Sequence, residues 1–144
     1  MIERYENIII QVACCVMIPF IQIFALYVIF HGHYGPGGGF QGGVLLAVSI
    51  ILLRLQQGKE ISSQKFSPRL AAALAATGML VFMLAGLIPM ATGGMFLDYE
   101  HLPIPDATGA TLRYFGILIV EAGIALTVFG TIVVIYDNLI EGKQ

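Results

Sequence analysis

Charge is what this sequence has least of. Of its 144 residues, 11% are Asp, Glu, Lys or Arg and 58% are hydrophobic. Ordinary soluble domains carry about 25% charged and about 45–50% apolar residues. A chain this poor in charge cannot coat a surface that faces water, and a bilayer is the solvent that suits it. Lys and Arg number seven and the net charge is −2. That excludes the basic stripe needed for a phosphate backbone, so no nucleic-acid partner is expected. Cysteine is reduced to the neighbours Cys14 and Cys15. Adjacent residues point apart on a helix, and their spacing fits no zinc pattern, so both are read as small buried hydrophobes. Catalytic arrangements are missing too: no Ser/His/Asp or Cys/His set is recognisable, and no two carboxylates share a helix face. The chain is not expected to be an enzyme on its own or to hold a metal or cofactor. A basic leader is also lacking. Glu3, Arg4 and Glu6 open the chain, and the apolar run behind them exceeds the usual signal-peptide core, so it is expected to remain as a helix.

Long apolar runs are abundant. The first covers 8–30, and its 23 residues rise about 34 Å at about 1.5 Å each, enough to cross a hydrocarbon core of about 30 Å. Pro19 inside it is expected to kink the helix. The second run is strongly apolar only over 44–53. It spans the membrane, over 37–55, only if glycines 37–43 begin the helix or lie beside it at membrane depth. Backbone of that kind survives in lipid only when protein or a water-filled cavity surrounds it. The third run, 70–91, is rich in Ala and Gly, which let helix backbones approach closely. The fourth covers 114–136. The expectation is a single all-α transmembrane domain over 1–144, with four membrane-spanning helices.

Four spans place both termini and the 54–69 connection on one side. That side holds Arg4, Arg54, Lys59, Lys65, Arg69 and Lys143, and the other only Arg113. By the positive-inside rule both termini are cytoplasmic. The 31–43 turn and the acidic 92–113 loop, with Asp98, Glu100, His101, Pro103, Pro105 and Asp106, then face outward.

Seven glycines crowd the thirteen residues 31–43. Gly37, Gly39 and Gly42 formally match a dinucleotide fingerprint, but that pattern has meaning only between a strand and a helix. Here a helical apolar run precedes it. Gly38/Gly42 and Gly39/Gly43 are small-xxx-small pairs, and packing against other helices is the reading adopted. The string His33, Pro36, Gly37, Gly38, Gly39, Phe40, Gly42 and Gly43 resembles the signature of the MnhB/MrpB family. These are small membrane subunits of Mrp-type Na⁺/H⁺ antiporters, with similar subunits in membrane-bound hydrogenases and related ferredoxin-linked complexes. The four-span plan and an acidic residue in the last span resemble the family as well. What the resemblance implies is a non-catalytic subunit in the plasma (inner) membrane, partnered by lipid and by other subunits, contributing to assembly and to a route for Na⁺ and H⁺. A hydrogenase-type complex remains the alternative, and a helix-packing scaffold without ion traffic is the alternative of another class.

Glu121 is the ionisable residue that stands deepest in a span, about seven residues from the outer end of 114–136. A central charge costs about 2.5–3.5 kcal/mol on the insertion scale, so such residues face protein or water and default to a functional reading. Three roles stay open for it: a proton or cation relay, an ion pair with a partner subunit, or a structural hydrogen bond to a neighbouring helix. Gln11 and Gln22 are read as interhelix hydrogen-bonding groups. His31 and His33 are read as capping or partner-contact residues. Arg54, Lys59, Lys65 and Arg69 are read as a topology signal.

Overall fold

The computed structural model describes residues 8–32, 34–35, 37–104 and 109–141. Helix α1 covers Ile8–His31, α2 Gly39–Gln57, α3 Lys59–Lys65, α4 Pro68–Ala91 and α5 Ala110–Glu141, with a short 3₁₀ turn at Tyr99–His101. The described residues are all-helical, and α1, α2, α4 and α5 are each long and apolar enough to cross a membrane. His33, Pro36, Pro105 and Asp106 lie outside the described residues.

Local chemistry explains the boundaries. Ser67 caps α4 by accepting the Leu70 N–H at 3.2 Å, and Pro68 follows at the first helical position, where its missing donor costs nothing. Gly58, at φ 80°, separates α2 from α3. Gly38, at φ 120°, stands immediately before α2, so the second span begins at Gly39 rather than at residue 37 and runs on to Gln57. The last helix is longer at both ends than its apolar run suggested. Helix α1 passes unbroken through Pro19.

The helices pack in the order α1, α2, α5, α4. Helix α5 is the centre of the row, held between α2 and α4, while α1 leans on α2 and barely touches α5. Glycines allow the close approach. A Cβ on Gly78 of α4 would stand 2.5 Å from the Gly123 carbonyl of α5, and one on Gly130 of α5 would stand 2.7 Å from the Ala75 nitrogen of α4. Ala47, Ile50, Ala71, Phe129 and Val133 form a buried cluster between α2, α4 and α5, closed by Phe66, whose ring centroid lies 5.3 Å from that of Phe129. Helix α1 is the least covered: Ile9, Phe20 and Ile23 are 74%, 66% and 68% exposed. Such a surface suits lipid or neighbouring subunits.

The start of α1, the α2–α3 corner and the end of α5 share one end of the row, linked by Gln56 to Gln11 and by Arg54 to Asp137. At the other end, Thr92 donates to the His101 carbonyl at 2.7 Å, Phe96 covers Gly86, and Tyr99 lies on Gly116. Burial there pushes the Tyr99 phenol above its ordinary pKa. Asp98 sits 2.9 Å from His101, and Glu100 pairs with Arg113. The described part of the 92–113 loop is thus folded against the helix ends, and Asp98 and Glu100 have partners.

Candidate functional site

Glu121 lies eleven residues into α5, about 16 Å along the helix from Ala110. The segment joining α1 to α2 folds over it. The Gly38 N–H donates to the Val28 carbonyl at 3.2 Å, which brings the segment back onto the last turn of α1 and satisfies one of its orphan carbonyls. Gly37 follows the same turn, and a Cβ there would press on that carbonyl at 3.1 Å. The Glu121 carboxylate occupies the room these glycines leave. A Cβ on Gly32 would stand 2.7 Å from Glu121 Oε1, and one on Gly38 at 3.4 Å from the same oxygen. Glu121 is half-buried, and its Oε2 is shut from solvent.

The remaining signature glycines divide their work. A Cβ on Gly39 would collide with the main-chain carbonyl of Glu121 itself. One on Gly43 would stand 2.7 Å from the Ala125 carbonyl, a turn further along α5. Gly42 turns the other way, where a Cβ would come 2.9 Å from the Ala25 carbonyl of α1. One stretch of small residues therefore seats α2 against both α1 and α5. Phe40 belongs to the same string but points out of the bundle, 64% exposed.

The electrostatics follow from this placement. The start of α2, with its first N–H groups lacking intrahelical acceptors, carries partial positive charge and favours an anion beside it. The end of α1, rich in carbonyl oxygens, carries partial negative charge and favours a proton or cation. Glu121 sits where the two ends meet. A carboxylate there can hold charge, accept a proton or meet a passing cation. At the end of α1, His31 stacks on Tyr27 with ring centroids 4.4 Å apart, on the exposed side of the helix.

The glycine string and Glu121 appear separately in the sequence, and the structure brings Gly38 and Gly39 against Glu121, with Gly37 on the Val28 carbonyl and Gly43 on the Ala125 carbonyl. Gly32 also meets Glu121, although it stands outside the string. Gln22 makes the interhelix contact expected of it, donating to Ser49 at 3.3 Å. At Gln11 the main-chain carbonyl is the group that accepts, from Gln56 at 3.0 Å. Among the described residues, no three His, Cys, Asp or Glu side chains come together.

A second ionic feature lies at the opposite end of α5. Arg54, read from sequence as a topology signal, is fully buried and donates to Asp137 Oδ2 at 2.7 Å. It also donates to the hydroxyls of Ser62 and Ser63 at 3.3 and 3.1 Å and to the Phe66 carbonyl at 3.3 Å. Lys59 reaches the Asp137 carbonyl at 3.2 Å. This cluster binds α3 and the end of α5 to α2. Asp137 fell just past the apolar run and Arg54 near the end of another, 83 residues apart, so no spacing linked them.

Comparison with known proteins gives a consistent result. A family model described as a domain related to the MnhB subunit of Na⁺/H⁺ antiporters matches residues 9–134. The Na⁺/H⁺ antiporter B subunit of Bacillus subtilis is 31% identical over 137 residues, covering 90% of this chain and 95% of the relative. The corresponding Na⁺/H⁺ antiporter protein of Alkalihalophilus pseudofirmus is 34% identical over 120 residues, 78% of this chain and 82% of its own. The putative antiporter subunit mnhB2 of Staphylococcus aureus strain Newman is 33% identical over 144 residues, 98% and 99% respectively.

Proposed function

The chain belongs to the MnhB family of Na⁺/H⁺ antiporter subunits, and from that premise we propose that Glu121 and its glycine seat form a relay point for protons or cations in the complex. The protein is a subunit of a multisubunit Na⁺/H⁺ antiporter and a multi-pass plasma-membrane protein. Other subunits of that complex are its partners. It works without a catalytic site of its own. Its glycine contacts hold the bundle, and the uncovered face of α1 meets lipid and neighbouring subunits.

The observation that carries the relay is the position of one carboxylate. Glu121 stands inside a span, where a charge is costly, and its oxygen is held against Gly32 and Gly38 where two helix ends of opposite partial charge meet. The test replaces it by Gln, which keeps shape and hydrogen bonding, and by Ala, which keeps neither. Na⁺/H⁺ exchange in everted vesicles and subunit content are measured together. Both variants should assemble and both should lose transport. Full transport by Glu121→Gln would remove the relay and leave a hydrogen-bonding group.

Both termini and the 54–69 segment are cytoplasmic in this proposal. With Arg54 set aside as a buried pair, Arg4, Lys59, Lys65, Arg69 and Lys143 still stand against Arg113 alone. A cysteine at the exposed Gln64 should resist a membrane-impermeant maleimide in intact cells and react in everted vesicles. The reverse pattern inverts the topology.

A further inference from the structure

A groove of about 530 Å³ lies between the start of α1, the end of α2 and α3. Ligand pockets span about 300–1,000 Å³ and are mostly apolar with a few placed polar groups. Here Ile8, Val12 and Val16 line one wall over about 12 Å of α1, and Ile61 stands on α3. Gln57 and Lys65 supply polar groups at the α2–α3 corner. The groove is thus an apolar channel with a basic polar end. It opens beside the least covered helix of the protein, at the end of the bundle where Lys59, Lys65 and Arg69 gather. The Gln57 carbonyl is buried and has no donor among the described residues. A buried acceptor left in that state is unfavourable, so a ligand carrying a hydroxyl would be welcome there.

We propose that this groove is a binding site for an anionic phospholipid, with the headgroup phosphate at Lys65, a headgroup hydroxyl at Gln57 and an acyl chain along Ile8, Val12 and Val16. An amphiphile with one negative end and one apolar tail matches the distribution of charge along the groove. The surrounding bilayer supplies it, and a basic cluster at the membrane surface concentrates anionic lipid there. The site is independent of Glu121, and loss of the relay reading leaves it standing.

The test uses the intact antiporter complex in lipid nanodiscs containing phosphatidylglycerol with a photoreactive group on its acyl chain. Adducts are mapped by mass spectrometry. They are expected over 8–16 and 57–65 and should fall several-fold when unlabelled phosphatidylglycerol is added, but not when phosphatidylcholine is added. Lys65→Glu should lower them several-fold, and Val12→Trp, which fills the channel from α1, should do the same in complexes of normal subunit content. Labelling there no stronger than on the exposed Leu80 and Leu84 of α4 overturns the proposal. Equal competition by the two lipids overturns it as well. The wild-type competition needs no variant, so a variant that fails to assemble leaves the answer intact.

Discussion

Helix α5 carries one carboxylate about a third of the way along, Glu121, and another in its last turns, Asp137, and the protein treats the two in opposite ways. Asp137 meets a guanidinium at 2.7 Å, inside a shell that also holds Ser62, Ser63 and the Phe66 carbonyl. A guanidinium presents several donors in a fixed fork, and here they reach acceptors on α3, at Phe66 and on α5. The pair locks those helices to α2. Glu121, sixteen residues earlier, lies in a seat cut out of glycine backbone where α1 ends and α2 begins. Its surroundings are shaped by missing side chains and by helix-end partial charges. The same residue class thus serves a clasp at one position and a candidate relay at the other, and the difference lies in what the neighbouring helices bring.

The comparison can be broken first at the clasp. Arg54→Leu takes the guanidinium out of a buried ion pair, and removing one partner of such a pair costs about 3–5 kcal/mol. The expected outcome is a sharp fall in the thermal stability and yield of the complex. Asp137→Leu should act alike, and the double variant should recover much of the loss. If the double variant is as damaged as the sum of the singles, the pair is not the unit that holds this end.

At the other end, Gly39→Leu should damage assembly, because overpacking costs about 1–3 kcal/mol and its side chain would enter the α5 backbone. Gly35→Leu is the control. Among the described residues nothing lies within 4 Å of a Cβ there, and native gels should show a normal complex. Equal damage by both would dissolve the claim of close approach at Gly39.

Gly32→Ala sharpens the contrast further. Its methyl would press on the Gly38 backbone, 2.5 Å from the nitrogen, and stand 2.7 Å from Glu121 Oε1. The segment over Glu121 must shift, so vesicle transport should fall while assembly suffers less than in Gly39→Leu. Unchanged transport would mean that the seat does not position the carboxylate. The smallest effect is expected between the two ends. Ser49→Ala removes the acceptor of Gln22, and interhelix hydrogen bonds of this kind average about 0.6 kcal/mol. A slight drop in melting temperature with normal transport should follow, and a loss as large as that of Arg54→Leu would contradict this ranking.

Much of the architecture was legible in the sequence for a local reason. A bilayer demands long apolar helices whose backbone bonds close within the segment, so composition and run length expose each span directly. The short apolar stretch 44–53 already required its glycines to lie against protein. Glu121 was visible for the same reason, as an acid in an apolar run. The boundary at Gly38 was not, because glycine is compatible with both a helix and the extended, positive-φ backbone that the chain adopts there.

What tertiary structure alone decided is which of these features meet. No sequence interval ties Gly32 or Gly38 to Glu121, or Arg54 to Asp137, because those contacts depend on the order α1, α2, α5, α4. A basic residue near the end of a span reads the same whether it faces water or a buried carboxylate, and only packing told Arg54 from Lys65. The sequence by itself determined how many helices cross the membrane, since that follows from each segment's own free energy in lipid. The folded structure decided which charge is locked and where Glu121 is seated, since those follow from contacts between segments far apart in the chain.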